Sequence, residues 1–158
     1  MKQSDKATLY ATLIDHCTAY VQETKPTVNT PAATYHLMAP LCMEDMQEGV
    51  YVILLNSKNR PINAPVRITH GLANASMIHP REVFRLAITS NAVSIILAHN
   101  HPSGDPTPSQ EDIRMTQNIC DAGEIIGIHV TDHVIIGKPS NDHPGFFSMR
   151  ESGLANFT

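Results

Sequence analysis

The chain has 158 residues, 42% hydrophobic and 16% charged, with a formal net charge of −4, 9 histidines, 3 cysteines and no tryptophan. A chain of ~150 residues buries roughly 68–70% of its unfolded surface without disulfides, so one domain, alone or with an appendage, can hold a mainly aliphatic core, and extensive disorder is excluded. Eleven basic against fifteen acidic residues, with no Lys/Arg run, leave no strong footprint for a nucleic acid, and Cys17, Cys42 and Cys120 form neither a CxxC metal pair nor a disulfide framework.

The start of the chain, Met1 to Lys6, precedes an apolar stretch broken by Asp15 and His16, a poor signal peptide. The longest strictly apolar run, Val50 to Leu55, falls far short of the ~20 residues that span a bilayer. No membrane is expected, and with reduced thiols the default compartment is the cytoplasm.

Ser4 reads as an N-cap, after which Leu9, Leu13, Cys17, Tyr20 and Val21 recur at helical spacing until Pro26. Lys25 to Asn29 reads as a linker, so residues 1–29 form an N-terminal helical appendage and residues 30–158 the main domain. There Thr30 and Pro31 open a second helix reaching about Met46. Val50 to Leu55 is a β-branched strand, Asn56 to Arg60 a polar turn, and Ile62 to Thr69 a returning strand. Pro80 opens a helix through Val83, Phe84, Leu86, Ala87 and Ile88, and the continuous apolar run Ala92 to Ala98 suits a strand central in the sheet. A helix from Ser109 to Ala122 stops at Gly123, and Glu124–Val130 with Asp132–Ile136 supply two more strands near Gly137. The fold class is α/β, with a mixed sheet flanked by helices.

Chemistry concentrates in His99-Asn100-His101-Pro102-Ser103-Gly104-Asp105-Pro106-Thr107-Pro108-Ser109 and the residues after it. On an extended chain, side chains at i and i+2 share a face, roughly 6.6–6.8 Å apart at the backbone, so His99 and His101 can converge on one cation, and two imidazoles suit zinc. The proline-rich loop can return a third ligand. At 100° per residue, Ile113, Met115, Thr116, Ile119, Cys120 and Ala122 fall within about 100° of Asp112, which places Asp112 in the middle of the buried helix face. A carboxylate aimed there needs a cation or several donors. Ser109 with Asp112 also reads as a helix cap, which explains the serine but not the two histidines. The letters His-Asn-His are not a nuclease signature, whose named residues are dispersed along a ββα motif.

The pattern His-x-His, seven residues, Ser-x-x-Asp resembles the JAMM motif of the JAB1/MPN metalloproteases, and the full string resembles the RadC branch. Further RadC-like stretches are Leu55 with Asn59-Arg60, Gly71 with Asn74 and Ser76, Pro80 to Phe84, Asp132 to Gly137, and Ser148 through Glu151 to Gly153-Leu154, covering roughly residues 30 to 155. The resemblance implies a JAB1/MPN (cytidine-deaminase-like) architecture. It also implies a glutamate just before the first core strand, where Glu48 stands; Glu44 and Glu82 are its rivals, but Glu48 shares strand parity with Val50, Val52 and Leu54, which aims it at one side of the sheet. Asn56 replaces the family's usual Asp and Leu72 its usual hydroxyl residue, both outside the motif. Full-length RadC proteins carry an N-terminal helix-hairpin-helix-like region, in place of which this chain has a short helical appendage.

The activity implied is zinc-dependent hydrolysis of a peptide or isopeptide bond. His99, His101 and Asp112 would hold Zn²⁺ with a fourth position open, Glu48 would be the general base, and Ser109 would donate to the developing oxyanion. A zinc deaminase would need His-x-Glu and Cys-x-x-Cys, which are absent. Cysteine catalysis by Cys42 or Cys120 is disfavoured because it needs an exposed, activated thiolate, and Cys120 lies on the inward face of its helix. His133 is either near the site or satisfied within its strand, His70 and His79 lie near turns, and His16, His36, His129 and His143 carry no pattern. The implied partner is a protein or peptide substrate, with room for a homo-oligomer. The alternatives are a non-catalytic partner-binding MPN module and a RadC-type role associated with DNA repair.

Overall fold

A computed structural model describes residues 3–24, 26–68 and 78–157, without the side chains of residues 3–7 and 20–24. The helices are α1 (Gln3–Thr24), α2 (Pro31–Cys42), α3 (Pro80–Thr89) and α4 (Gln110–Ile126). The strands are β1 (Val50–Leu55), β2 (Val66–Arg67), β3 (Ser94–Asn100), β4 (His129–Ile136) and β5 (Phe146–Ser148), in sheet order β2-β1-β3-β4-β5. Pairing is antiparallel except between β3 and β4, which run parallel with α4 as their connection, so the sheet is mixed.

β1 and β3 are buried along their whole length because both faces are covered. Val50, Val52 and Leu54, with Ile95 and Leu97, pack against Val83 and Phe84 of α3 and Met115 and Ile119 of α4. The alternate residues Tyr51, Ile53 and Leu55, with Ile96 and Ala98, pack against Leu37, Met38 and Leu41 of α2 and Cys17 of α1. The period of two therefore divides one sheet between two cores, giving three layers. Among the described residues, no helix is long and apolar enough to cross a membrane.

Thr30 caps α2 by accepting from Ala33 N, with Pro31 in the first turn, as expected. Several boundaries differ from the sequence reading. Ser4 lies inside α1, and α2 ends at Cys42 rather than near Met46, followed by a non-helical segment in which Asn100 Nδ2 donates to Gln47 O. The returning strand shrinks to Val66–Arg67 plus one bridge at Pro61, since Pro61 and Pro65 lack the N–H groups a continuous ladder needs; Thr69 lies outside the described residues. Gly123 does not end α4. The helix runs to Ile126 and closes on Gly127 at φ +80°, while Gly123 allows close packing: a Cβ there would sit 2.6 Å from the Ile128 carbonyl oxygen. Glu124 to Ile126 are therefore helical, and one strand, β4, replaces the two expected. β5, three residues long, was too short for a periodic signal.

Candidate metal centre

The register places the site. Val50 pairs with His99 across the antiparallel β1/β3 ladder, so the segment entering β1 lies beside the end of β3. The parallel β3-α4-β4 unit then brings the first turn of α4 back over the same carboxyl ends, where open α/β sheets place ligands. Glu48, His99, His101 and Asp112 meet there, each with a ligating atom within 4.8 Å of the others.

His99 Nε2 lies 2.8 Å from His101 Nε2 and 3.4 Å from Asp112 Oδ1, and His101 Nε2 lies 3.7 Å from Asp112 Oδ2. Tetrahedral zinc with bonds of ~2.0–2.1 Å separates neighbouring ligand atoms by about 3.4 Å. His99 and Asp112 are buried, whereas the His101 side chain is 16% exposed and that of Glu48 40% exposed. Glu48 Oε1 stands 4.0 Å from His99 Nε2.

The protons can be assigned from the surrounding donors. The Thr116 hydroxyl donates to the Asp112 carbonyl at 2.6 Å, so its oxygen accepts from His133 Nδ1–H, also at 2.6 Å. His133 Nε2 is then bare and accepts from His99 Nδ1–H at 2.7 Å, which leaves His99 Nε2 with a lone pair. His101 Nδ1–H donates to the Asp105 carbonyl at 2.8 Å, leaving its Nε2 likewise bare in the neutral ring. Two lone pairs and a carboxylate oxygen thus converge, an arrangement that a shared proton or a bound cation satisfies. His101 is consistent with this: burial pulls its pKa down, but hydrogen bonding and charge from Asp112, with help from Asp105 and Glu48, raise it overall. The field that holds a proton there suits a metal cation, whose binding releases protons. Asp112 titrates well below the usual carboxylate range: burial opposes ionisation, but His101, His99 and two donors from Ser109 prevail.

Ser109 is the N-cap of α4 in a capping box. Its oxygen accepts from Asp112 N, while its N–H and hydroxyl donate to Asp112 Oδ2 at 2.7 and 2.6 Å. The cap and the acidic ligand are one arrangement, with Oδ1 turned to His99. Glu48 has its carboxyl raised by burial and by Asp112, against a lowering by His101. Of its rivals, Glu82 caps α3 by accepting from His79 N, and Glu44 is exposed beside α1. Burial pushes the Cys42 and Cys120 thiols up to about 12, which removes them as nucleophiles.

From the sequence, His133 is either near the site or satisfied within its strand, and neither Thr116 nor Asn100 stands out as a site residue. Asn100, between the two histidines, points to the other side, where its Oδ1 accepts from Gly49 N at 2.9 Å and its Nδ2 donates to Gln47 O at 3.1 Å. Alternation along β3 was the available signal. His16, His36, His79 and His129 are exposed and His143 is half-buried, while His70 and the family-like Gly71, Leu72, Asn74 and Ser76 lie outside the described residues.

Two predictions arise here. Burial lowers His133 to about 4, and its ordinary value is about 6.5. The unfolded chain therefore takes up this proton first, and stability from this residue is lost as pH falls from about 6.5 to 4, by roughly 3 kcal/mol. Urea titrations of metal-free protein at pH 7 and 4.5 should show a smaller loss in His133→Gln than in wild type. The second concerns Gly137, where a Cβ would lie 2.3 Å from the Gly104 carbonyl oxygen and 3.1 Å from Pro106 Cδ. Gly137→Ala should displace the loop that orients His101, costing about 1–3 kcal/mol in denaturant titrations and weakening metal binding in chelator competition.

A family model described as RadC-like JAB domain matches residues 28–154. A UPF0758 protein from Symbiobacterium thermophilum is 46% identical over 124 residues, 78% of this chain and 50% of the relative. Its counterpart from Desulforudis audaxviator is 48% identical over 136 residues, 84% of this chain and 55% of the relative. One from Methanosarcina mazei is 42% identical over 135 residues, 85% and 56% respectively. The chain spans about half the length of these curated relatives.

Proposed function

This chain belongs to the RadC-like JAB domain family, and from that premise we propose that it is a zinc-dependent hydrolase of peptide or isopeptide bonds. The observation that carries the proposal is the convergence of the bare His99 and His101 Nε2 atoms and Asp112 Oδ1 on one point, with the half-exposed Glu48 carboxylate 4.0 Å from His99. A buried ligand set flanked by an accessible base is a catalytic arrangement, whereas structural zinc sites are closed.

His99, His101 and Asp112 would hold the zinc, which when bound lowers the pKa of water and polarises a carbonyl. Glu48 Oε1 is within one water of the centre, so it can take a proton from water and deliver it to the leaving amine nitrogen. Its raised pKa makes it the stronger acceptor of the water proton. Ser109 orients Asp112 first; donation to an oxyanion requires its hydroxyl to leave Asp112 Oδ2 when substrate enters. The His133–Thr116 relay keeps His99 in the ligating tautomer.

In this reading residues 30–158 are the catalytic domain, residues 1–29 an appendage, and the chain works in the cytoplasm. A net charge of −4 favours a protein substrate over DNA. The test is incubation of the zinc-loaded chain with a peptide library and isopeptide-linked conjugates, with products read by mass spectrometry. Cleavage lost to a chelator and restored by zinc is the expected result. No cleavage at full zinc occupancy, with tight and strongly salt-dependent DNA binding, would overturn it in favour of the repair-associated alternative.

A further inference from the structure

Glu48 sits on the connection between α2 and β1, and that connection is held from two sides. From the sheet, Asn100 grips Gly49 N and Gln47 O. On the other side, Asp45 is buried and accepts from Gln47 N through Oδ1 at 3.3 Å and from Arg67 Nη1 through Oδ2 at 2.8 Å. Arg67 also reaches the Glu48 carbonyl through Nη2 at 3.4 Å. Its guanidinium lies so close to Gly49 that a Cβ there would be 2.8 Å from Nε and Nη2. The third partner is Tyr10 of α1, whose hydroxyl donates to the same Asp45 Oδ2. Burial opposes ionisation of Asp45, but the bonds from Tyr10, Gln47 and Arg67 outweigh it and keep the carboxylate charged.

α1 ends at Thr24, before the family-matched region begins at residue 28. The tie through Tyr10 is therefore added to the shared domain from outside it. We propose that α1 is a mount for the base: Tyr10, through Asp45 and Arg67, positions the segment bearing Glu48, so docking of α1 and readiness of the site are coupled. Leu13, one turn along α1, packs against the core cluster to which α2 contributes Leu37, Met38 and Leu41, which gives the helix a seat from which to hold Tyr10 in place. The functional half of this inference rests on the reading of Glu48 as base; the mechanical half does not.

Hydrogen exchange on the zinc-loaded full chain tests it. Tyr10→Phe keeps the ring and deletes only the hydroxyl, and should speed exchange of the Gln47 and Gly49 amides about tenfold, as expected for loss of one hydrogen bond to a charged group. Exchange in β3 and β4 should be unchanged, and zinc affinity should stay within about threefold. Leu13→Ala, which loosens α1 with Tyr10 intact, should raise exchange at the same two amides. With a cleaved peptide, Tyr10→Phe should lower kcat about tenfold with KM within about threefold. Unchanged exchange at Gln47 and Gly49, or a rise shared equally by β3 and β4, overturns the proposal. A Glu48→Gln chain that cleaves at the wild-type rate would instead overturn the reading of Glu48, and the exchange data would still decide whether α1 holds the segment.

Discussion

Glu48→Gln is expected to lower peptide turnover by roughly 10²–10⁴-fold while keeping about one zinc per chain and the wild-type unfolding midpoint. The amide has the shape of the carboxylate but cannot accept a proton. Nothing in the core depends on the Glu48 carboxyl: its side chain is 40% exposed, and its placement comes from the backbone contacts of Arg67 and Asn100 around it. Its Oε1 stands 4.0 Å from His99 Nε2, close enough to the cluster to take a proton from water held there. Rates measured beside metal content separate the outcomes. A variant that cleaves as fast as wild type removes Glu48 as the base, and one that loses its zinc makes Glu48 a ligand.

His99→Ala and Asp112→Ala should each weaken zinc binding on the order of a hundredfold or more, since about 10–16 kcal/mol of apparent binding is shared among four ligands in structural sites. The two fail differently. His99→Ala leaves His133 Nε2 buried without its donor. Asp112→Ala also removes half of the capping box on α4, a further loss of about 1 kcal/mol. Asp112→Asn separates the roles, because an amide oxygen can still accept from Ser109 N but brings no charge to the cation. Competition with a chromogenic chelator, beside denaturant titrations of the metal-free forms, should show Asn preserving the helix and losing the metal. Full zinc content in His99→Ala would place the metal elsewhere.

Much of the site was legible because its residues are close in sequence and carry periodicities with physical causes. His99 and His101 share a face because strand side chains alternate, and Asp112 falls on the buried stripe of α4 because a helix repeats every 3.6 residues. Burial of Asp112, Met115, Thr116, Ile119 and Cys120 follows that phase. The family resemblance locates Glu48, and its strand parity with Val50, Val52 and Leu54 is the one local signal in its favour over Glu44 and Glu82. What separates them is the β1/β3 register, which sets residue 48 beside His99, and the capping bond that occupies Glu82.

Composition and patterning by themselves determined an α/β domain with a mixed sheet, a central buried strand and a two-histidine, one-aspartate cluster, because each depends on short-range rules of chain geometry. The extent of α4, the single long β4 and the loss of most of the returning strand were decided by packing and by the hydrogen bonds available to the backbone: Gly123 fits against Phe84 and Ile128, and the prolines around Ile62 break the ladder. The His133–Thr116 relay, the Asn100 clamp and the Tyr10–Asp45–Arg67 tie join residues 17 to 57 positions apart. No periodicity reports such pairs; they exist only once the sheet register and the docking of α1 bring donors to acceptors away from water.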